Sequence, residues 1–551
     1  MGALSTAGDG LKQIGQFLHP RTIVQLHKAN ALAFKNSIAM MLSLPWLIGR
    51  GPSLGIITQM HGFSLARKAA LHDRDGCLTW GELDKRANQA GHMLEELGVK
   101  GGDRVAMLLR NGHEVVETTL GAQKFGMVAC PLNTWAKPKE LKFTLSEANA
   151  SVLIYDTKHS DQVEECAPEG LALVYVGNED EAVAESYSYV ELLGDQSVNP
   201  PPFLTREVQK PKVVIHTSGT TGTPKGASRN SSAAGVGALA NLLSVVPYSR
   251  DDSIVLPAPL FHSFGLATFT FGTALGATFV LPEQFDPEGT LRAIEEHGAT
   301  ACSLVPVMIK RILNLDSEIK SRYDLSSLRV VMASGSAMST EMRKAAMELF
   351  GDVLYDLYGS TEVGWVAIAR PQDMLDHPGT VGEPVPGIEV AIFNEDGDRL
   401  GPGEVGEIYI KSDVMFEGYT SGDSKEVRDG YMTIGDLGYV DDDGFLFIEG
   451  RADDMVVVGG ENIYPVEIEE TLDDMDGVED VAVMGVPDDE YGEVLGAFVV
   501  GKVKPDDVKK YCKDQLASYK VPKRVEILDE LPRTSTGKVL KRELIEQAEE
   551  G

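Results

Sequence analysis

From Val213 to about residue 360, short apolar segments alternate with amphipathic ones, and this rhythm restricts the fold more than any other feature. ATFVL (Ala277–Leu281), CSLVPV (Cys302–Val307), LRVVMAS (Leu328–Ser334) and VLYDLYG (Val353–Gly359) read as strands. Leu291–His297 and Met338–Phe350 read as helices between them. Such alternation predicts α/β layers with largely parallel sheets, whose ligands sit at the carboxyl ends of the strands. Upstream, Leu78–Val99 has helical apolar spacing, and Arg104–Leu109 and Val152–Asp156 read as buried strands. Between about 385 and 450 the pattern turns strand-rich, with Val405–Lys411 and Phe445–Gly450. The intervening DDDG (Asp441–Gly444) predicts an acidic hairpin turn, because it lacks the spacing and closing Glu of a calcium loop. A compact βα unit follows Arg451. The expected organisation is an arm (1–60), a large amino-terminal domain of layered α/β subdomains plus a strand-rich one (61–450), and a small α+β domain (451–551).

The apolar run VVI leads into HTSGTTGTPKG (His216–Gly226). Glycine permits close backbone approach, so this segment is expected to be a loop, not strand or helix. Free N–H groups of a Gly-rich turn, with Thr and Ser hydroxyls and the Lys225 ammonium, form a cradle for a phosphate chain. It is not the ordinary P-loop, which needs Lys directly after Gly; here Lys225 follows Pro224. The chain is acidic, with net charge −33, which disfavours nucleic acid as a partner and means positive charge must be gathered locally to hold an anion. Five scattered cysteines without C-x-x-C pairs fit a reducing cytoplasm and predict neither disulfides nor a zinc site.

The arm departs from this acidity. Lys12, Arg21, Lys28, Lys35 and Arg50 stand against Asp9, so residues 1–60 carry 5 − 1 = +4 and the remainder −37. Ile38–Gly49 is uncharged but far shorter than the roughly 20 residues a span needs, and Pro45 interrupts it. Two readings stand open: the arm lies on an anionic membrane surface, at the inner face, or it packs as a helix on the protein's own flank.

Four further clusters accompany the Gly/Thr loop. They are PAPLFHSFG (Pro257–Gly265), LYGSTE (Leu357–Glu362), IGDLG (Ile434–Gly438) with GRADDMVVVGGENIYPVEIE (Gly450–Glu469), and PRTSTGKVLKRE (Pro532–Glu543). In this order they resemble the adenylate-forming superfamily of acyl-CoA synthetases, luciferases and nonribosomal-peptide adenylation domains. The wording is nearest to that of bacterial fatty acyl-CoA synthetases, over about residue 60 to the end. The resemblance implies activation of a fatty acid of medium to long chain by ATP, with Mg²⁺, followed by transfer to coenzyme A. It implies that Thr217, Ser218, Gly219, Thr220, Thr221, Gly222, Thr223 and Lys225 cradle the β- and γ-phosphates. Thr361 would contact the α-phosphate and Glu362 would hold Mg²⁺. Ser334, Gly335, Ser336, Tyr358 and Gly359 would line the adenine, Asp436 would accept the ribose hydroxyls, and Arg451 would support the ribose side. His262 is expected beside the acyl carboxylate, with Phe261, Phe264, Val305 and Trp365 as neighbours of the acyl chain. Lys538 would reach the carboxylate and α-phosphate. Asp453 matches the hinge about which the small domain swings, bringing Gly459 and Gly460 to a narrow pantetheine path in place of Lys538. Transfer to a carrier-protein thiol is the alternative, disfavoured because no inserted segment hinders the swing. A homodimer is a further expectation. Two positions depart from the pattern: His216 stands where Tyr is frequent, and Ile434 replaces Thr.

Overall fold

The computed structural model describes residues 24–25, 27–29, 53–136, 138–202, 212–218, 224–230, 236–412, 415, 425–451, 454, 456–458, 461–488, 492–516, 520–534, 538–541 and 543–545. Two compact units form, one from Met1–Leu304, Asn314–Ala333 and Asp413–Ser424, the other from Val305–Leu313, Ser334–Ser412 and Lys425–Gly551.

In the first unit the strand–helix alternation becomes two parallel sheets, each closed by one antiparallel strand. One sheet orders Tyr187–Ser188, Ala172–Val176, Ala150–Asp156, Arg104–Leu108, Val128–Pro131, Lys212–Ser218 and Pro224–Asn230. Its last pair is antiparallel, with Thr217 opposite Lys225 and Ser218 opposite Pro224. This corrects the loop expectation for His216–Gly226. Ladder pairing carries the backbone of His216–Ser218 and Pro224–Gly226 as strand, so the glycine-rich positions 219–223, which lie outside the described residues, join two strands. The other sheet runs Val330–Ser334, Ala301–Leu304, Ser253–Val255, Thr278–Val280, Ala69–Asp73 and Gly76–Thr79. The expected helix at Leu78–Val99 begins later, at Trp80, because Leu78 and Thr79 belong to the last of these strands. A capping box sets that start: Thr79 Oγ1 accepts from the Glu82 N–H and Glu82 Oε2 from the Thr79 N–H, at 3.3 and 2.8 Å.

His61, 4% exposed, donates from Nε2 to the Thr273 carbonyl at 2.8 Å. Burial pulls its pKa down to about 4. An unfolded chain takes up this proton near pH 6.5, whereas the folded one refuses it until about pH 4. The unfolded state thus binds more protons inside that window, and stability falls as the pH drops through it, by up to about 3 kcal/mol for this group. Urea midpoints at pH 7 and pH 5 should differ accordingly, and His61→Gln should flatten the difference. Equal slopes for both proteins would show that His61 is not the cause.

The second unit is antiparallel where the composition turned strand-rich. The order is Leu354–Ser360, Gly364–Ala369, Thr380–Pro384, Leu446–Arg451, Tyr431–Val440, Gly406–Lys411 and Glu389–Phe393. The DDDG segment makes the expected hairpin turn, with Asp441 Oδ1 accepting from the N–H groups of Asp443 and Phe445 at 3.0 and 2.8 Å. Beyond residue 460, a three-stranded sheet (Val478–Asp488, Gly492–Gly501, Arg524–Leu528) and the helices Pro465–Asp473 and Pro505–Gln515 enclose their own core. Ile468, Leu472, Val483, Val499, Val508 and Cys512 fill it, each fully buried. Among the described residues no helix is long and apolar enough to cross a membrane.

Candidate active site

In the second unit, one carboxylate is held from both sides. Tyr358 donates its hydroxyl to Asp436 Oδ2 at 2.6 Å, and Arg451 donates from Nη1 to Oδ1 at 3.2 Å. Asp436 and Arg451 are cross-strand partners of the hairpin closed by Asp441–Gly444, so the ladder itself brings them together. Tyr358 comes from another strand, 78 residues earlier. Burial, and then the neighbouring Asp436 charge, pushes the Tyr358 pKa far above its usual value, so the phenol stays a donor. The result is a carboxylate with a fixed direction and a cation behind it.

The strand bearing Tyr358 ends in a tight turn. Ser360 and Gly364 pair across it, leaving Thr361, Glu362 and Val363 at the tip, and the Glu362 N–H donates to Ser360 Oγ at 3.2 Å. Thr361 and Glu362 are both half-buried. The ladder bulges between Tyr358 and Gly359, and a Cβ on Gly359 would lie 2.0 Å from the Gly364 carbonyl oxygen. Only glycine allows that closeness. Ser334 does not face outward: its side chain is buried and donates to the Leu357 carbonyl at 2.8 Å, one residue before Tyr358. Gly335 follows with φ +109° and Ser336 is exposed, so the residues presented at this strand end are the second and third of the trio.

Lys538 is exposed, on a turn closed by a bridge between Arg533 and Val539. Its backbone N–H donates to Thr534 Oγ1 at 3.1 Å and its carbonyl accepts from the Thr534 N–H at 2.7 Å. Asp453, Gly459 and Gly460 lie outside the described residues. The strands Val456–Val458 and Glu461–Ile463 pair on either side of the two glycine positions.

The first unit carries the Thr217–Lys225 ladder and His262. His262 is half-buried at the start of the helix Ser263–Leu275, its ring 4.4 Å from that of Phe261. Burial drops its pKa to about 4, which keeps the imidazole neutral at ordinary pH. Of the expected acyl neighbours, Phe261 and Val305 are buried, while Phe264 and Trp365 are half-buried. What the residue pattern missed is the Tyr358 clamp on Asp436. Half of the clamp had a signal: counting outward from the predicted DDDG turn places Arg451 within two residues of the position opposite Asp436.

The paired strands that flank a Gly/Thr-rich segment in the first unit, the oriented carboxylate in the second and the lysine on its own turn are each features suited to a nucleotide-using enzyme. The family model for the AMP-binding enzyme matches residues 62–420, and that for the AMP-binding enzyme C-terminal domain matches residues 467–538. The long-chain-fatty-acid–CoA ligase FadD13 of Mycobacterium tuberculosis is 31% identical, covering 85% of this chain and 93% of its own. Feruloyl-CoA synthase of an Amycolatopsis species is 33% identical, over 85% of this chain and 93% of its own. Among solved structures, the anthranilate CoA ligase AuaEII in complex with anthranoyl-AMP superposes with a TM-score of 0.81 at 27% identity, covering 90% of this chain and 97% of its own. The chain belongs to the AMP-binding enzymes of the adenylate-forming superfamily, and is an ATP-dependent acid–thiol ligase with a large amino-terminal α/β domain and a small carboxy-terminal one.

Proposed function

We propose that this ligase activates a medium- to long-chain fatty acid and transfers it to coenzyme A. The observation that carries the nucleotide side is the Tyr358–Asp436–Arg451 clamp, because a carboxylate held through both oxygens is a ready acceptor for the two hydroxyls of a ribose. In the first step a carboxylate oxygen of the acid attacks the α-phosphorus and pyrophosphate leaves. In the second the thiol sulfur attacks the acyl carbonyl, AMP leaves and the thiol proton passes to solvent. Phosphoryl transfer asks mainly for positioning and charge neutralisation. Thr217–Lys225 hold the β- and γ-phosphates, Thr361 meets the α-phosphate, and Gly335, Ser336, Tyr358 and Gly359 border the base. Ser334 acts from beneath, by fixing the strand that bears Tyr358. Neutral His262 stands beside the acyl carboxylate without bringing a competing charge. Glu362 would supply an oxygen donor for Mg²⁺, a hard cation that suits carboxylate ligands and would neutralise charge on the phosphates when bound. The small domain, 451–551, turns about Asp453 so that Lys538 serves the first step and Gly459–Gly460 the second.

The long-chain substrate in the name of FadD13 and the fatty acyl-CoA synthetase wording of the motifs support a fatty acid. Feruloyl-CoA synthase, at 33% identity, supports a second reading in which the acid is aromatic. One methylene in an apolar pocket changes binding by only about 1–3 kcal/mol, so acids must be compared directly. With Mg²⁺ and a panel of fatty and cinnamic acids, AMP and pyrophosphate should form fastest with fatty acids. Accumulation of ADP would end the adenylation reading, and preference for a cinnamic acid the fatty one. Replacing coenzyme A by an acyl-carrier protein tests the alternative acceptor. Glu362→Gln should raise the Mg²⁺ concentration needed for half-maximal rate, because a neutral amide holds a hard cation poorly.

Among the described residues of the arm, Ala29 is buried and its carbonyl accepts from the Arg250 N–H at 3.0 Å. That contact favours packing on the flank near Ala29, whereas Ile38–Gly49 lies outside the described residues and keeps the membrane reading for itself. Removal of residues 1–50 should reduce sedimentation with anionic vesicles while activity on a short, soluble acid persists. Unchanged sedimentation would remove the membrane reading.

A further inference from the structure

Lys538 sits on a turn whose base is Arg533, and Arg533 is itself held. Its Nη2 lies 2.6 and 2.8 Å from the two oxygens of Asp480, at the start of the strand Val478–Asp488. The turn is closed at the same place by the Arg533–Val539 bridge and by the Leu540 N–H donating to the Pro532 carbonyl at 2.8 Å. Asp480 therefore fixes the root of the segment that projects Lys538. Asp480 has a second cationic partner from a distant part of the sequence. Lys310, on the helix Pro306–Leu313, places Nζ 3.4 Å from Asp480 Oδ1 and 3.4 Å from Asp473 Oδ1. Asp473 ends the helix Pro465–Asp473, which belongs to the same small α+β module. All four side chains are about three-quarters buried.

We propose that Lys310, Asp473, Asp480 and Arg533 form a latch that holds the carboxy-terminal module in one of its two working orientations and transmits that hold to the Lys538 turn. Asp480 and Lys310 are thus positioning residues, acting on the reaction through Lys538. One carboxylate shared by two cations makes the coupling physical: anything that draws Lys310 away from Asp480 also changes the charge that Arg533 faces. Breaking a partly buried ion pair changes the balance between two orientations by about fivefold. A change of that size is small for stability but large for a ratio of two rates. The inference rests on the two-orientation reading proposed above.

The test measures the half-reactions separately, as pyrophosphate release from ATP and fatty acid, and as thioester formation from synthetic acyl-adenylate and coenzyme A. Lys310→Ala should change the ratio of the two rates about fivefold by moving them in opposite directions, and Lys310→Arg should restore it. Asp480→Asn should lower adenylation more than thioester formation, because it also loosens the root of the Lys538 turn, and Asp480→Glu should recover part of the loss. If Lys310→Ala leaves the ratio unchanged, the latch is wrong. Lys538→Ala and Gly460→Leu run alongside as controls. If these two divide the half-reactions while Lys310→Ala does not, the latch alone fails. If they do not divide them, the two-orientation reading fails and takes the latch with it. Lys310 lies outside the carboxy-terminal core, so its variant keeps the test decisive should Asp480→Asn fold poorly.

Discussion

Lys538→Ala should form acyl-adenylate about 10²–10³ times more slowly than the unaltered protein, yet convert supplied acyl-adenylate and coenzyme A to thioester at a nearly normal rate. The expectation follows from charge and timing. The Lys538 backbone is bonded at both its N–H and its carbonyl to Thr534, which anchors the root of the side chain that carries the ammonium. Negative charge grows on the α-phosphate oxygens only while the carboxylate attacks phosphorus, and a preorganised cation lowers the barrier of that step alone. Gly460→Leu should do the reverse. Positions 459 and 460 connect the paired strands Val456–Val458 and Glu461–Ile463, and if the thiol arm passes them as proposed, a branched side chain there should obstruct it while leaving adenylation intact. Pyrophosphate release and synthetic acyl-adenylate report the two steps independently. Equal losses in both steps for both variants, with circular dichroism unchanged, would remove the assignment of these residues to separate half-reactions.

The sheets were legible in the residues because each is built from local periodicity. Ala277–Leu281 and Cys302–Val307 announced the strands Thr278–Val280 and Ala301–Leu304, and apolar spacing announced the helix Trp80–Glu96. Edges were less legible, since ladder pairing overrides composition. Thr217 and Ser218 are strand because Lys225 and Pro224 lie opposite, in spite of the glycines that follow. The site divides along the same line. Asp436 and Arg451 meet across a hairpin whose turn could be read directly. Tyr358 reaches Asp436 from a strand separated from it by three others in the sheet order, a long-range meeting that periodicity does not encode. Lys310 gave no signal at all: a lysine on an amphipathic helix is usually solvated, and its two aspartates come more than 160 residues later.

Asp356→Ala should destabilise the second unit by about 3–5 kcal/mol, the largest stability effect expected among these residues. Asp356 lies on the strand Leu354–Ser360, two positions before Tyr358, and is 5% exposed. Arg343, 4% exposed on the helix Thr340–Phe350, donates to Asp356 Oδ2 at 2.6 Å and to the Thr380 carbonyl at 2.8 Å. One guanidinium thus joins a helix and two strands beneath the Tyr358–Asp436 clamp. Burial raises the Asp356 carboxyl and the guanidinium opposes it, so each group is tolerable inside only while the other is present. Alanine at 356 leaves a desolvated cation with one backbone acceptor, and the penalty of that charge appears in full. Replacing both partners by apolar groups, as Arg343→Met with Asp356→Leu, removes the buried charge as well as the pair and should recover much of the loss. Urea unfolding followed by intrinsic fluorescence, with the single and double variants compared at pH 7, measures the difference. A double variant no more stable than Asp356→Ala would mean that the cost lies in packing rather than in the unpaired charge. The affinity for ATP adds an independent reading, because Tyr358 shares the strand: it should fall in the single variant and return, at least in part, in the double one.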